Sequence, residues 1–100
     1  MIQSVIFRPA AVEELVAAAA WYETHATGLG EDLIDAILAA VRRAQGNPEL
    51  FRIVRNDGQV RRVLTERFPY RIFFSVVSDT LYVHAVLHGA RHDRRWMERL

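Results

Sequence analysis

The stretch Tyr70-Arg71-Ile72-Phe73-Phe74-Ser75-Val76-Val77 reads as the clearest β-strand of the chain. It is dense in β-branched and aromatic residues, and Phe68-Pro69 and Ser78-Asp79 bound it. Side chains alternate across a strand, so Tyr70, Ile72, Phe74 and Val76 share one face, and Arg71, Phe73, Ser75 and Val77 share the other. Ser78-Asp79-Thr80 turns the chain back into a second strand, Leu81 to Leu87. There Leu81, Val83, Ala85 and Leu87 alternate with Tyr82, His84, Val86 and His88. Upstream, Asn56-Asp57-Gly58 is a strong turn signal and Val60 to Arg67 a third strand, completing an antiparallel meander. Phe51 to Arg55 is short and is expected to be an irregular or edge segment.

The first half of the chain has a different period. Ile2 to Phe7 is a short strand that ends at Arg8-Pro9, and proline suits the first turn of a helix. Val12, Leu15, Val16, Ala19 and Tyr22 then recur at helical spacing, so a helix is expected as far as about His25. Thr27-Gly28-Leu29-Gly30 breaks it. A second helix opens with Glu31 and Asp32 and carries Leu33, Ile34, Ile37, Ala40, Val41 and Ala44 on one face. It ends at Gly46-Asn47-Pro48. The element order is β-α-α-β-β-β. This is an α+β fold, with a helical hairpin packed on one face of a small, mainly antiparallel sheet. The first face of each strand belongs under the helices. The opposite face, with its Arg, Tyr and His residues, is left for a partner.

Met1 to Leu100 is expected to form a single domain. With 51% apolar and 25% charged residues, the chain has the composition of a globular protein, not a disordered one. It has no cysteine, which removes thiolate catalysis, disulfide scaffolds and Cys-based zinc sites from consideration. No apolar run reaches the ~18 residues of a membrane span, and no signal peptide is read at the N-terminus, so a cytoplasmic protein is expected. His84, His88 and His92 are spaced by four, which would align metal ligands on a helix. Here they straddle a strand end and a loop, so neither a metal nor a cofactor is expected.

The net charge of +1 hides an asymmetry. Residues 1–50 carry three Arg against seven acids, whereas residues 51–100 carry ten Arg against five. All 13 basic side chains are Arg, whose planar fork grips phosphate or carboxylate with two bonds. A basic second half of this kind suits a nucleic acid or an acidic protein segment. Arg91, Arg94, Arg95 and Arg99, interleaved with Trp96, form the most basic part of it.

The run Val60-Arg61-Arg62-Val63-Leu64, then Phe68-Pro69-Tyr70-Arg71-Ile72-Phe73-Phe74, Val83, Val86-Leu87-His88, Arg91 and Trp96 resembles the RelE/ParE toxin superfamily. Trp21-Tyr22-Glu23, Gly28-Leu29-Gly30 and Pro48 resemble its helical hairpin. Asp93 departs from the pattern, standing where many similar tails carry Pro. The resemblance implies the toxin of a bacterial type II toxin–antitoxin pair, neutralised by a cognate antitoxin. It also implies the β-α-α-β-β-β fold already read from the residues.

RelE-like members cut mRNA on the ribosome, whereas ParE-like members inhibit DNA gyrase by binding. Metal-free RNA cleavage needs a base for the 2′-hydroxyl, cations for the phosphate and an acid for the leaving oxygen. For that alternative the residues would be Arg71, Arg91 and His88, with His84 as another candidate base. Two features do not fit it. Trp96 stands at the position where a Tyr is often found, and its indole cannot exchange a proton; the lysines of many such enzymes have no counterpart in this chain. The favoured reading is therefore a ParE-like gyrase inhibitor with no reaction of its own. The alternatives are a ribosome-dependent mRNA endoribonuclease and a degenerate non-toxic member. The residues assigned to target or antitoxin binding are Arg61, Arg62, Arg71, Phe73, Tyr82, Arg91, Arg95 and Trp96.

Overall fold

A computed structural model describes residues 1–89. Strand β1 (Ser4–Phe7) leads into helix α1 (Pro9–Glu23) and helix α2 (Leu29–Gly46). The short edge strand β2 (Ile53–Arg55) and the meander β3 (Val60–Leu64), β4 (Tyr70–Val77) and β5 (Thr80–His88) follow. The sheet order is β1-β5-β4-β3-β2. β1 runs parallel to β5, with Ser4 opposite Thr80 and Phe7 opposite Val83, and the remaining neighbours are antiparallel. The two helices and mixed sheet are the α+β arrangement expected from the sequence. Among the described residues no helix is long and apolar enough to cross a membrane.

β4 occupies the residues expected of it, and the edge segment before Asn56 is a true edge strand. β3 stops at Leu64, earlier than expected, because Thr65 turns the chain. Its hydroxyl accepts from the Tyr70 amide at 3.1 Å, and Arg67 adopts φ +71°. The main core lies between the helices and one sheet face. Leu33, Ile37, Val63, Ile72, Phe74, Leu81 and Val83 are its fully buried large side chains. Each contributes about 1.5–3 kcal/mol by leaving water.

Two side-chain assignments are corrected by the structure. The first concerns β5. Phe74 pairs with Val83 but Phe73 pairs with Ala85, so His84 is an extra residue, a β-bulge. Beyond it the alternation changes frame. Val86 joins the helix-side core, whereas Ala85 and Leu87 turn to the opposite face and form a second small cluster with Val60 and Phe73. The second concerns α1. Its buried and half-buried stripe is Ala11, Leu15, Ala18, Ala19 and Tyr22, and Val12 and Val16 point to solvent. Small residues face inward because the helices pack closely.

That close approach is made at Gly30. A Cβ there would lie 2.5 Å from the Ala19 carbonyl oxygen and 3.1 Å from Glu23 Oε1. The turn itself needs Gly28, whose φ of +88° is left-handed. Glu23, the last residue of α1, closes the turn. Its carboxylate accepts from the amides of Gly28 at 2.9 Å and Gly30 at 3.0 Å, at the start of α2. These two backbone bonds, Gly28 first, hold the Glu23 carboxyl below its ordinary pKa of 4.5.

Gly30→Ala is therefore expected to cost about 1–3 kcal/mol in a urea melt, because the hairpin must open to admit a methyl group. The pH dependence follows from Glu23, whose pKa is lower in the folded state than in the unfolded chain. Its stabilisation is complete above pH 4.5 and is lost as pH falls through the lower folded value. Glu23→Gln should lower the melting midpoint at neutral pH and flatten its fall below pH 4.5. An unchanged acid limb would place the acid sensitivity elsewhere.

Candidate functional site

The helix-free face of the sheet brings together most of the polar side chains singled out from the sequence. Arg62 stands opposite Phe73, Arg71 opposite Leu87, and Ser75 opposite Tyr82. Their floor is the second apolar cluster of Val60, Phe73, Ala85 and Leu87, with Val54 against it. Phe73 is only 4% exposed, so it belongs to this floor and is not a projecting contact. The Arg71 guanidinium carbon lies 5.9 Å from the Phe73 ring centroid. Tyr82 is half-buried, and the Arg8 guanidinium carbon lies 4.8 Å from its ring centroid.

Arg61 and Arg62, adjacent in the sequence, go to opposite faces. Arg61 stands opposite Phe74 on the helix side, and its guanidinium donates to the Phe51 carbonyl at 2.8 Å. His88 is also on the helix side. It stands opposite Tyr70 with the two rings edge to face, centroids 5.5 Å apart. The bulge at His84 puts it there, since an unbroken alternation would leave His88 beside Arg71. Arg71 and His88 are thus on opposite sides of the sheet. Arg91, Arg95 and Trp96 lie outside the described residues.

One polar cluster was not foreseen. On the helix-free face Ser75, 6% exposed, forms a 2.7 Å hydrogen bond between its Oγ and His84 Nε2. The pair opens into a groove of about 530 Å³, whose other polar walls are Arg8, Arg55 and Asp57. Arg55 and Asp57 form an ion pair at 3.2 Å. Pairing β4 and β5 about their two-residue turn would have placed Ser75 and His84 together. Nothing in the sequence pattern brings Arg8 and Arg55 to the same place, because they come from distant ends of the sheet's connectivity. Among the described residues, no group of three or more His, Asp or Glu is placed to hold a metal ion.

A second groove, of about 540 Å³, runs between α1 and β5 and is lined by Glu13, Glu14, Trp21, Val86 and His88. Trp21 is 57% exposed there, and the neighbouring Tyr22 packs inward against Phe68, centroids 5.2 Å apart.

A family model described as the ParE toxin of the type II toxin–antitoxin system parDE matches residues 5–93. Among solved structures, a chain of the "Chromosomal ParDE TA system from P. aeruginosa" superposes with a TM-score of 0.69 at 20% identity. The match covers 87% of this chain and 96% of that one. No curated protein matches.

Proposed function

From the premise that this chain belongs to the ParE toxin family of type II toxin–antitoxin systems, we propose that it inhibits DNA gyrase by binding and is silenced by a cognate antitoxin. The observation that carries this reading is the family match itself, which runs from β1 to beyond β5 and so spans every described element of the fold. The separation of Arg71 from His88 counts against that pair as an RNA-cleaving site, although His84, the other candidate base, shares the helix-free face with Arg71. A proton acceptor on one side of a sheet cannot serve a phosphate held by a cation on the other.

For the antitoxin, the helix-free face carries Arg62, Arg71 and, further along the strands, a half-buried Tyr82. An acidic, amphipathic segment suits that combination. It neutralises the guanidinium charges and covers the aromatic edge, and such a segment orders as it binds.

With purified toxin, gyrase and relaxed plasmid, supercoiling should be lost in proportion to toxin, and equimolar antitoxin should restore it. Unimpaired supercoiling by several gyrases, together with mRNA cuts on toxin-treated ribosomes, would overturn the reading. Arg71→Glu should weaken antitoxin binding about tenfold or more in calorimetry. Wild-type affinity for that variant would place the interface on another surface.

A further inference from the structure

The two helices meet water differently. The exposed side chains of α2 are Glu31, Asp32, Asp35, Arg42 and Arg43, an ordinary solvated face. On α1, Pro9, Val12, Val16 and Ala20 are exposed, and the last three recur every four residues as one stripe along the helix. The opposite side of α1 is apolar as well and faces the core. A helix apolar on all sides belongs in an interior, yet Val16 is 60% exposed. The charges at the two ends of α1 also have the signs its dipole disfavours. Arg8 precedes the positive end and Glu23 closes the negative end, while the first turn holds no acid and the last turn no base.

We propose that a second copy of this chain covers the stripe, with the two α1 helices packed antiparallel about a two-fold axis at Val16. Three features favour a second copy over another partner. First, antiparallel pairing sets the end that carries Arg8 beside the partner's Glu23, so end charges that are unfavourable within one chain complement each other between two. Arg8 keeps its place over Tyr82 and Glu23 its bonds to the hairpin amides, because only the charges of the two ends need to be near each other. Second, the stripe is self-complementary, as a two-fold contact requires. Val12 of each chain comes level with the partner's Ala20, a larger side chain against a small one, which suits helix axes about 8–10 Å apart. Third, no base lies among Val12, Val16 and Ala20, and the nearest charge is Glu13, so the acidic segment proposed for the Arg62 and Arg71 face has nothing to pair with here. The 15 residues of α1 span about 22 Å. One helix pair of that length is small beside the roughly 1,600 Å² of a standard interface, so the dimer is weak and reversible. The inference does not rest on gyrase or on the antitoxin interface.

The test is sedimentation of the full chain, purified alone, joined to cysteine cross-linking. The average mass should rise toward that of a dimer with a Kd of about 10–100 μM. Val16→Arg sets two like charges at the axis and should weaken association about tenfold or more, with unchanged circular dichroism confirming the fold. Leu50→Arg, at the exposed turn after α2, should associate as wild type. The chain has no cysteine, so single Cys variants report the register directly. Val16→Cys should oxidise to a disulfide-linked dimer. Val12→Cys alone should not, because its two copies would lie about 12 Å apart along the helices, beyond the ~7 Å reach of a disulfide. Mixed with Ala20→Cys, it should cross-link. Any of three results would overturn the assignment: a wild-type chain still monomeric at about 500 μM, wild-type association by Val16→Arg, or self-linking of Val12→Cys as fast as that of Val16→Cys. Loss of antitoxin binding by Val16→Arg in a chain that is monomeric at every concentration would overturn it too, by assigning the stripe to the antitoxin.

Discussion

β5 serves two cores at once, and the extra residue at His84 is what allows it. Up to Val83 the strand gives its large apolar side chains to the helices. After the bulge it gives Val86 to the helices and Ala85 and Leu87 to the opposite face. The backbone amide of Val86 lies beyond the reach of β1, which ends opposite Val83. Glu14, reaching down from α1, accepts that amide at 3.0 Å. A buried amide left without a partner costs about 1–3 kcal/mol, so this carboxylate ties the position of α1 to the frame change in β5. The direction of His88, the second apolar floor and the groove at Ser75 all follow from the one inserted residue.

The helical hairpin is fixed by a different device. Gly30 lets the two helices meet backbone to side, and Glu23 holds the first amides of α2 from the end of α1. The hairpin thus caps itself at its turn. What α1 then turns outward is apolar, with Val12, Val16 and Trp21 all more than two-fifths exposed.

Much of this was legible in the residues. β4 was readable because its apolar and turn signals are unambiguous, and the hairpin because Gly28, Gly30 and Gly46 punctuate it. The bulge was not. Leu81, Val83, Ala85, Val86 and Leu87 are all apolar, so a change of frame among them leaves no mark in the hydropathy pattern. α1 failed for the opposite reason. Its alanines make every face apolar, and selecting the stripe by volume pointed to Val12 and Val16, when close packing favours the small side chains. The site was legible in kind but not in place. The Arg-rich second half does supply the helix-free face, but Arg61 and Arg62 split between faces. Arg8 belongs to the half whose net charge is negative, and only the folded sheet brings it to the groove.

The parallel pairing of β1 with β5 also sets the order in which the molecule can be completed during synthesis. Ser4–Phe7 is among the first residues made, yet its partner Thr80–Val83 is made near the end of the described chain. At the usual ribosomal rate of about 5–20 residues per second, β1 waits roughly 4–15 s for the strand it must join. Helix α1, whose carboxylate secures Val86, waits with it. The helix-free face, with its Arg side chains and its floor of Phe73 and Leu87, does not exist until that late strand closes. The nascent chain therefore passes most of its synthesis without the surface proposed to receive the antitoxin.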